Sequence, residues 1–482
     1  MAWESDCSIV LGDGRTDHVP TPEGKRAQAR GRERQSNVVR KGNMMQKRKP
    51  ATDMRTSLRG IAERARRDKK SRFRDLYRML NKDSLRECFY QLRKSAAPGV
   101  DKVTFGEYEK SLESNLVDVV ERLKQKRYRA KLVRRKYIPK GSGKLRPLGI
   151  PALEDKLLQM AATKVLTAIY EQDFLDSSWG YRPKRGPREA SRVLADRLYR
   201  GKISWVVEAD IRGFFDSISH EWMLRMLRER VADETFLRLI DKWLKAGVLE
   251  ESGEVIHPVT GTPQGGIISP ILANIYLHYA LDLWFERRVR KESQGDVYMI
   301  RFADDFVCAF QYRWDAMRFK QQLSERMGKF GLVVAAEKTR TLQFSRDVPE
   351  PNEAFEFLGF EFRWVRRLTG KMGVKRSTSR KKLRASVKAF SEWIKEHRGS
   401  RITTVMRTVC RKLNGYWNYY GVRGNYERMS RLYEQCRNLL FKWLNRRSHK
   451  RSYTWDGFVE MLRTFNVPPP RIVEMPYQRG CL

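Results

Sequence analysis

The period of the hydrophobic positions changes several times along the chain, and each change predicts a different kind of element. From Leu58, apolar residues recur at three and four (Leu58, Ile61, Ala62, Ala65, then Phe73, Leu76, Tyr77, Leu80), the spacing of a helix face. A loop, SAAPGVDKVT, and a charge-rich helix follow. The stretch RYRAKLVRRKYIPKGSGKLRPLGIP then sets strands on either side of a Gly-Ser-Gly turn. Leu157 to Tyr170 is apolar enough for a buried helix. In ISWVVEADIRGFFDSISH, Ile203, Trp205, Val207 and Ala209 alternate with Ser204, Val206, Glu208 and Asp210, which predicts a strand ending near Asp210. VYMIRFADDFVCAF is interrupted only by Ala303-Asp304-Asp305 and predicts a hairpin with two carboxylates at its turn. Beyond about residue 375 the pattern is helical: Leu383, Val387, Phe390 and Ile394, then Ile402, Val405, Met406, Val409 and Leu413, each mark one face. Residues 1 to 55 carry no period and read as a mobile arm outside the fold.

Composition adds the class of partner. The 482 residues hold 98 Lys and Arg against 57 Asp and Glu, a formal charge of +41, with 41% hydrophobic content. The apolar share is that of a folded protein of two to four domains, and the charge points to a polyanion, by default nucleic acid. Residues 361 to 482 hold 29 Lys and Arg against 8 Asp and Glu, half of the net charge. Within them, LNGYWNYYGVRGNY interleaves Tyr416, Trp417, Tyr419 and Tyr420 with amide and basic groups, a mixture suited to stacking on bases or to packing a helix. No run reaches the roughly 18 apolar residues of a membrane span, and no secretory core follows the N-terminus, so a cytoplasmic protein is expected. Six scattered cysteines without a CxxC pair, and six histidines without H-E-x-x-H spacing, speak against disulfides and zinc.

The candidate chemistry lies in the carboxylates. Asp210 and Asp304-Asp305 stand 94 residues apart, each at the end of an apolar strand-like segment. If those strands are neighbours, three carboxylates converge and require cations. Oxygen donors without His or Cys suit Mg²⁺, and two such ions are the usual device for in-line phosphoryl transfer.

Ordered motifs give this cluster a context: APGVD (97–101), KLRPLGIP (144–151), SSWGYRPKRG (177–186), DIRGFFDSI, GTPQGGIISP, FADDF, EKT (337–339), EFLGFEF (356–362) and NGYWNYY. With these the chain resembles a group II intron-encoded reverse transcriptase/maturase over about residues 55 to 475. The resemblance implies an α+β, right-hand polymerase fold, with fingers and palm over 56–375 and a helical thumb and maturase domain over 376–482. It further implies that Asp210, Asp304, Asp305 and the Ile211 carbonyl hold two Mg²⁺. Lys140, Arg146, Phe215, Pro263 and Gln264 would bind the dNTP, Phe215 rejecting ribonucleotides, and Lys338 with Leu358, Gly359 and Phe360 would handle the primer. The implied partners are intron RNA, an RNA template with its DNA primer, target DNA and dNTPs, with no membrane. Phe302 stands where the family usually has Tyr, and no HNH endonuclease motif follows Pro470. Two alternatives share the motifs: a splicing maturase that does not need polymerisation, and a reverse transcriptase recruited to defence.

Overall fold

A computed structural model describes residues 54–140, 144–262, 264–347, 353–367, 369–447 and 452–475; the expected N-terminal arm lies outside them but for its last two residues. The first helix, Met54–Arg67, buries Ala65 and sets Leu58 and Ile61 against the main core. The helical period expected to continue through Phe73 does not. Phe73 instead bridges Val231, and its N–H donates to the Arg230 carbonyl at 2.8 Å, while Leu76–Met79 is a single 3₁₀ turn. The spacing there reflects burial of Phe73, Leu76 and Leu80 against a neighbouring segment rather than a helix face. The next helix starts only at Lys82, where Asn81 and Ser84 form a capping box.

In chain order the strands are β1 (Val133–Lys140), β2 (Lys144–Ile150), β3 (Trp205–Ala209), β4 (Val248–Leu249), β5 (Val255–Ile256) and β6 (Val297–Phe302). β7 (Asp305–Phe310), β8 (Arg340–Gln343), β9 (Phe355–Phe357), β10 (Phe360–Arg366) and β11 (Met372–Thr378) complete them. They make three sheets, ordered β2-β1-β4-β5, β6-β7-β3-β8 and β11-β10-β9. Among these strands only β1 and β4 pair in parallel. The helix expected from Leu157 runs Leu153–Tyr170 and, with Ser269–Leu277, forms the middle of the largest core, which packs beneath the second sheet.

After β11 the chain is helical. Ser379 caps Arg380–His397 by accepting from the Lys382 N–H, and Ile402–Tyr420, Tyr426–Leu444 and Trp455–Thr464 follow. These helices bury the predicted Leu383, Phe390, Ile394, Val405, Met406, Val409 and Leu413 in a core of their own. Among the described residues no helix is long and apolar enough to cross a membrane.

Candidate active site

Strands β3 and β7 run antiparallel from Trp205 opposite Phe310 to Ala209 opposite Phe306. One further step of that register sets Asp210 opposite Asp305. The β6–β7 hairpin turns through Ala303 at φ 59°, with Phe302 paired to Asp305, so Asp304 and Asp305 leave the sheet at the end where Asp210 does. Solvent reaches the surface of Asp305, yet protein crowds its carboxyl. That desolvation, then the charges of Asp304, Asp210 and Glu208, push its carboxyl up to about 7, against a backbone hydrogen bond from Leu358. Lys338 ion-pairs with Asp210, which raises the ammonium above its usual range, and Arg340 ion-pairs with Glu208. Among the described residues no three His, Cys, Asp or Glu close tightly enough to chelate one ion. In donor type and charge the cluster still suits a hard divalent cation: it offers only oxygen, and the crowding that lifts Asp305 is relieved by a counter-charge.

A buried network holds the turn. Arg301 and Asp282 are both 0% exposed and meet in a fork, Nε to Oδ1 at 2.7 Å and Nη2 to Oδ2 at 2.6 Å. The remaining guanidinium N–H groups donate to Asn274 Oδ1 (3.0 Å), Ser178 Oγ (2.7 Å) and the Ala303 carbonyl (2.8 Å), the last bond fixing the left-handed residue itself. Asn274 Nδ2 donates to the Gly180 carbonyl at 2.7 Å, and a Cβ on Gly180 would lie 2.3 Å from the Ala303 nitrogen, so only glycine fits there. Tyr181, at φ 58°, comes next. Burial raises its phenol most, and Asp304 raises it further while Arg146 lowers it, which sets this ring between the carboxylates and the basic hairpin. Ser178, Gly180 and Tyr181 stand in the motif SSWGYRPKRG without a role assigned from the sequence, and Arg301, Asp282 and Asn274 were not singled out at all. The signal was there, in single polar residues within apolar runs: Arg301 in VYMIRF, Asp282 in HYALDLW and Asn274 in ILANIYL. A charge in such a run must find a partner.

The other expected residues gather unevenly. Arg146 pairs with Ile138 in the β1–β2 hairpin and approaches the carboxylates through Tyr181. Lys140 ends β1 opposite Lys144, but its side chain, like all of Pro263, lies outside the described residues. The Gln264 carbonyl accepts from the Gly149 N–H at 2.6 Å. Gly265, at φ 110°, packs so closely that a Cβ would stand 2.6 Å from the Gly149 oxygen, so this loop lies directly on β2. Phe215 is half-buried in a short helix, and its carbonyl accepts from the Thr262 N–H at 2.8 Å. Ile211 is buried and bridged to Val334. Leu358 (φ 53°) and Gly359 (φ 75°) form the tight β9–β10 turn whose N–H reaches Asp305. Phe360 has no exposed surface, so any primer contact at this turn falls to Leu358 and Gly359.

Of the C-terminal aromatics, Tyr416 and Trp417 are buried and offer no face for stacking on a base, while Tyr419 and Tyr420 are partly buried. Tyr416 and Trp417 are 2% and 0% exposed, donating to Thr378 Oγ1 (3.3 Å) and to the Pro468 carbonyl (3.1 Å). Tyr419 donates to the Leu358 carbonyl at 3.1 Å and stacks on Phe360, and Tyr420 meets the Phe360 ring edge-on. Tyr419 and Tyr420 thus join the helix Ile402–Tyr420 to β10, while Tyr416 and Trp417 lie inside the fold.

Comparison with known proteins follows the same outline. Residues 138–362 match the family described as reverse transcriptase (RNA-dependent DNA polymerase). Protein YkfC of Escherichia coli is 32% identical over 320 residues, covering 60% of this chain and 81% of that protein. The group II intron-encoded protein LtrA of Lactococcus lactis is 29% identical over 404 residues, covering 66% of this chain and 65% of LtrA. A 91 kDa protein in a Schizosaccharomyces pombe cob intron is 38% identical over 211 residues, covering 42% of this chain and 25% of that protein. A telomerase structure from Candida albicans covers 75% of this chain and shares 68% of its own length, at 15% identity and a TM-score of 0.40. With its carboxylates converging on one sheet end inside the matched segment, the chain belongs to the reverse transcriptases, in the group II intron-encoded reverse transcriptase/maturase family.

Proposed function

We propose that the chain is an RNA-directed DNA polymerase encoded by a group II intron, which copies intron RNA into cDNA and binds that RNA to assist splicing and retrohoming. The observation that carries this reading is the meeting of Asp210 with Asp304 and Asp305 across the β3–β7 register, facing a basic hairpin. The family depends on divalent metal. In this chain Asp210, Asp304, Asp305 and the Ile211 carbonyl would hold two Mg²⁺. When bound, the ions activate the primer's 3′ hydroxyl and neutralise the departing pyrophosphate.

The chain's own groups set the substrates. Arg146, with Lys140 on the same hairpin, pairs with the triphosphate, and Arg suits phosphate because its fork donates in two directions. Phe215 lies beside the sugar and excludes a 2′ hydroxyl. The Pro263-Gln264 loop, seated on β2, supports the nucleotide from behind. Lys338 ion-pairs with Asp210, and the Leu358-Gly359 backbone supports the primer end. The reaction joins the primer's 3′ oxygen to the α-phosphorus of a dNTP and releases pyrophosphate. Fingers and palm then occupy 56–375, and thumb and maturase 376–482, whose net charge of +17 favours folded RNA as a second partner.

Primer extension on RNA with dNTPs tests the enzyme. Asp304→Ala is expected to abolish extension while splicing of the intron at low Mg²⁺ continues. Equal extension by variant and wild type across a range of Mg²⁺ would sink the reading.

A further inference from the structure

The first three C-terminal helices form a bundle with one end on the palm and one end free of it, where Tyr453 exchanges hydrogen bonds with Asn445. Tyr419 and Tyr420 fix the second helix to Phe360, and its opposite end at Ile402 lies roughly 27 Å away along the axis. At that free end the first helix stops at His397 and the third at Leu444, tied together by Arg447 Nη2 donating to the Ser400 carbonyl at 2.7 Å. Trp443 sits there, and four cations gather round its indole: Lys395 (6.0 Å), Arg398 (5.4 Å), Lys442 (5.7 Å) and Arg446 (5.6 Å). No carboxylate among the described residues pairs with any of the four. Over 395–401 and 442–447 stand six Lys and Arg and one acid, Glu396. Trp443 Nε1 is itself enclosed without a hydrogen-bond partner.

Cations at helix C-termini are favoured by the helix dipole, and each rests well on an indole face. Those effects explain one or two side chains. They do not explain four like charges drawn from two helices onto one ring, which repel one another unless an anion joins them.

We propose that this free end is a phosphodiester-binding site for folded RNA, in which Trp443 holds Lys395, Arg398, Lys442 and Arg446 as a preformed cradle for neighbouring backbone phosphates. The proposal rests on the reading that the chain binds intron RNA, and adds where the bundle grips it. Phosphates of the template–primer duplex carry the same chemistry. A folded transcript differs from them in reaching the free end while a duplex shorter than the ~27 Å helix span sits in the palm.

The test compares full-length wild type with the triple variant Lys395→Gln, Lys442→Gln, Arg446→Gln, three exposed positions. Binding to the transcript of the gene's flanking DNA is titrated across salt, beside extension of a short template–primer. Losing three phosphate contacts is expected to lower the salt slope by about 2 and the affinity by roughly 10- to 100-fold, with short-duplex extension unchanged. Unchanged transcript affinity and slope overturn the proposal, as does equal weakening of transcript binding and short-duplex extension. A lowered melting temperature with RNA binding intact also overturns it, because the cations then only cap helices. If wild type holds the transcript no better than a scrambled RNA of equal length, the parent reading fails instead. The variant's slope against scrambled RNA then still decides whether the free end meets phosphate.

Discussion

Arg301 is the residue on which the carboxylate turn depends most directly, since it joins Asp282, Asn274, Ser178 and the Ala303 carbonyl. Removing one member of a buried ion pair leaves the other charge stranded, at a cost of about 3–5 kcal/mol. Arg301→Met should therefore lose that much in urea unfolding, and adding Asp282→Leu should recover most of it; a double variant as unstable as the single one contradicts this. His278 is the second residue with a measurable consequence. Burial holds its imidazole down to about 4, and its Nδ1 has no hydrogen-bond partner. The unfolded chain takes up that proton near pH 6.5 while the folded one refuses it until about 4. The stability present above 6.5 is thus lost as pH falls through this window. From pH 7 to 5 wild type should lose about 2 kcal/mol more than His278→Leu. Parallel curves for the two proteins would contradict the assignment. At this scale the sequence was most legible where chemistry repeats a pattern: Asp210, Asp304 and Asp305 were evident because charges at strand ends interrupt apolar alternation. Tyr181 was not, since its place comes from a left-handed backbone and a glycine pressed on Ala303.

Among the elements, the β9–β10 turn shows how little room the site leaves. At Gly359 the backbone is left-handed, and a Cβ would lie 2.7 Å from the Tyr420 hydroxyl. Gly359→Ala should cost about 1–2 kcal/mol, from backbone strain and the clash together. Tyr420→Phe in the same chain should return part of it, and an additive pair of effects in thermal melts would mean the hydroxyl is not the obstacle. Period-two alternation located β3, an apolar run broken by two carboxylates located the β6–β7 hairpin, apolar content located the buried helix, and period-three-and-four spacing located the C-terminal helices. It failed at Phe73–Leu80, where three buried positions at helical spacing serve a bridge to Val231. Aromatics misled for a related reason: composition alone does not tell a ring offered to a base from one packed on Phe360.

Over the whole molecule, the charge divides between a small set near the carboxylates and a larger set on the C-terminal helices, and the excess after residue 360 was legible in the sequence. Which of those cations gather at one place depended on packing that no period encodes. The pairing of β3 with β7 has one more consequence. The described part of residues 211–296, several helices and the loop at Gln264 included, forms an excursion between β3 and the β6–β7 hairpin, whose second strand pairs back onto β3. Length changes in the exposed turns of that excursion leave the β3–β7 register as it is, whereas the strands tolerate none, because a shift by one residue turns every side chain to the opposite face. Two extra residues between Ser252 and Gly253, in the exposed β4–β5 turn, should leave primer extension intact. One extra residue after Val207 should end it, by turning Asp210 away from Asp305. Natural variation in this chain's length should accordingly collect in the excursion and spare its two stems.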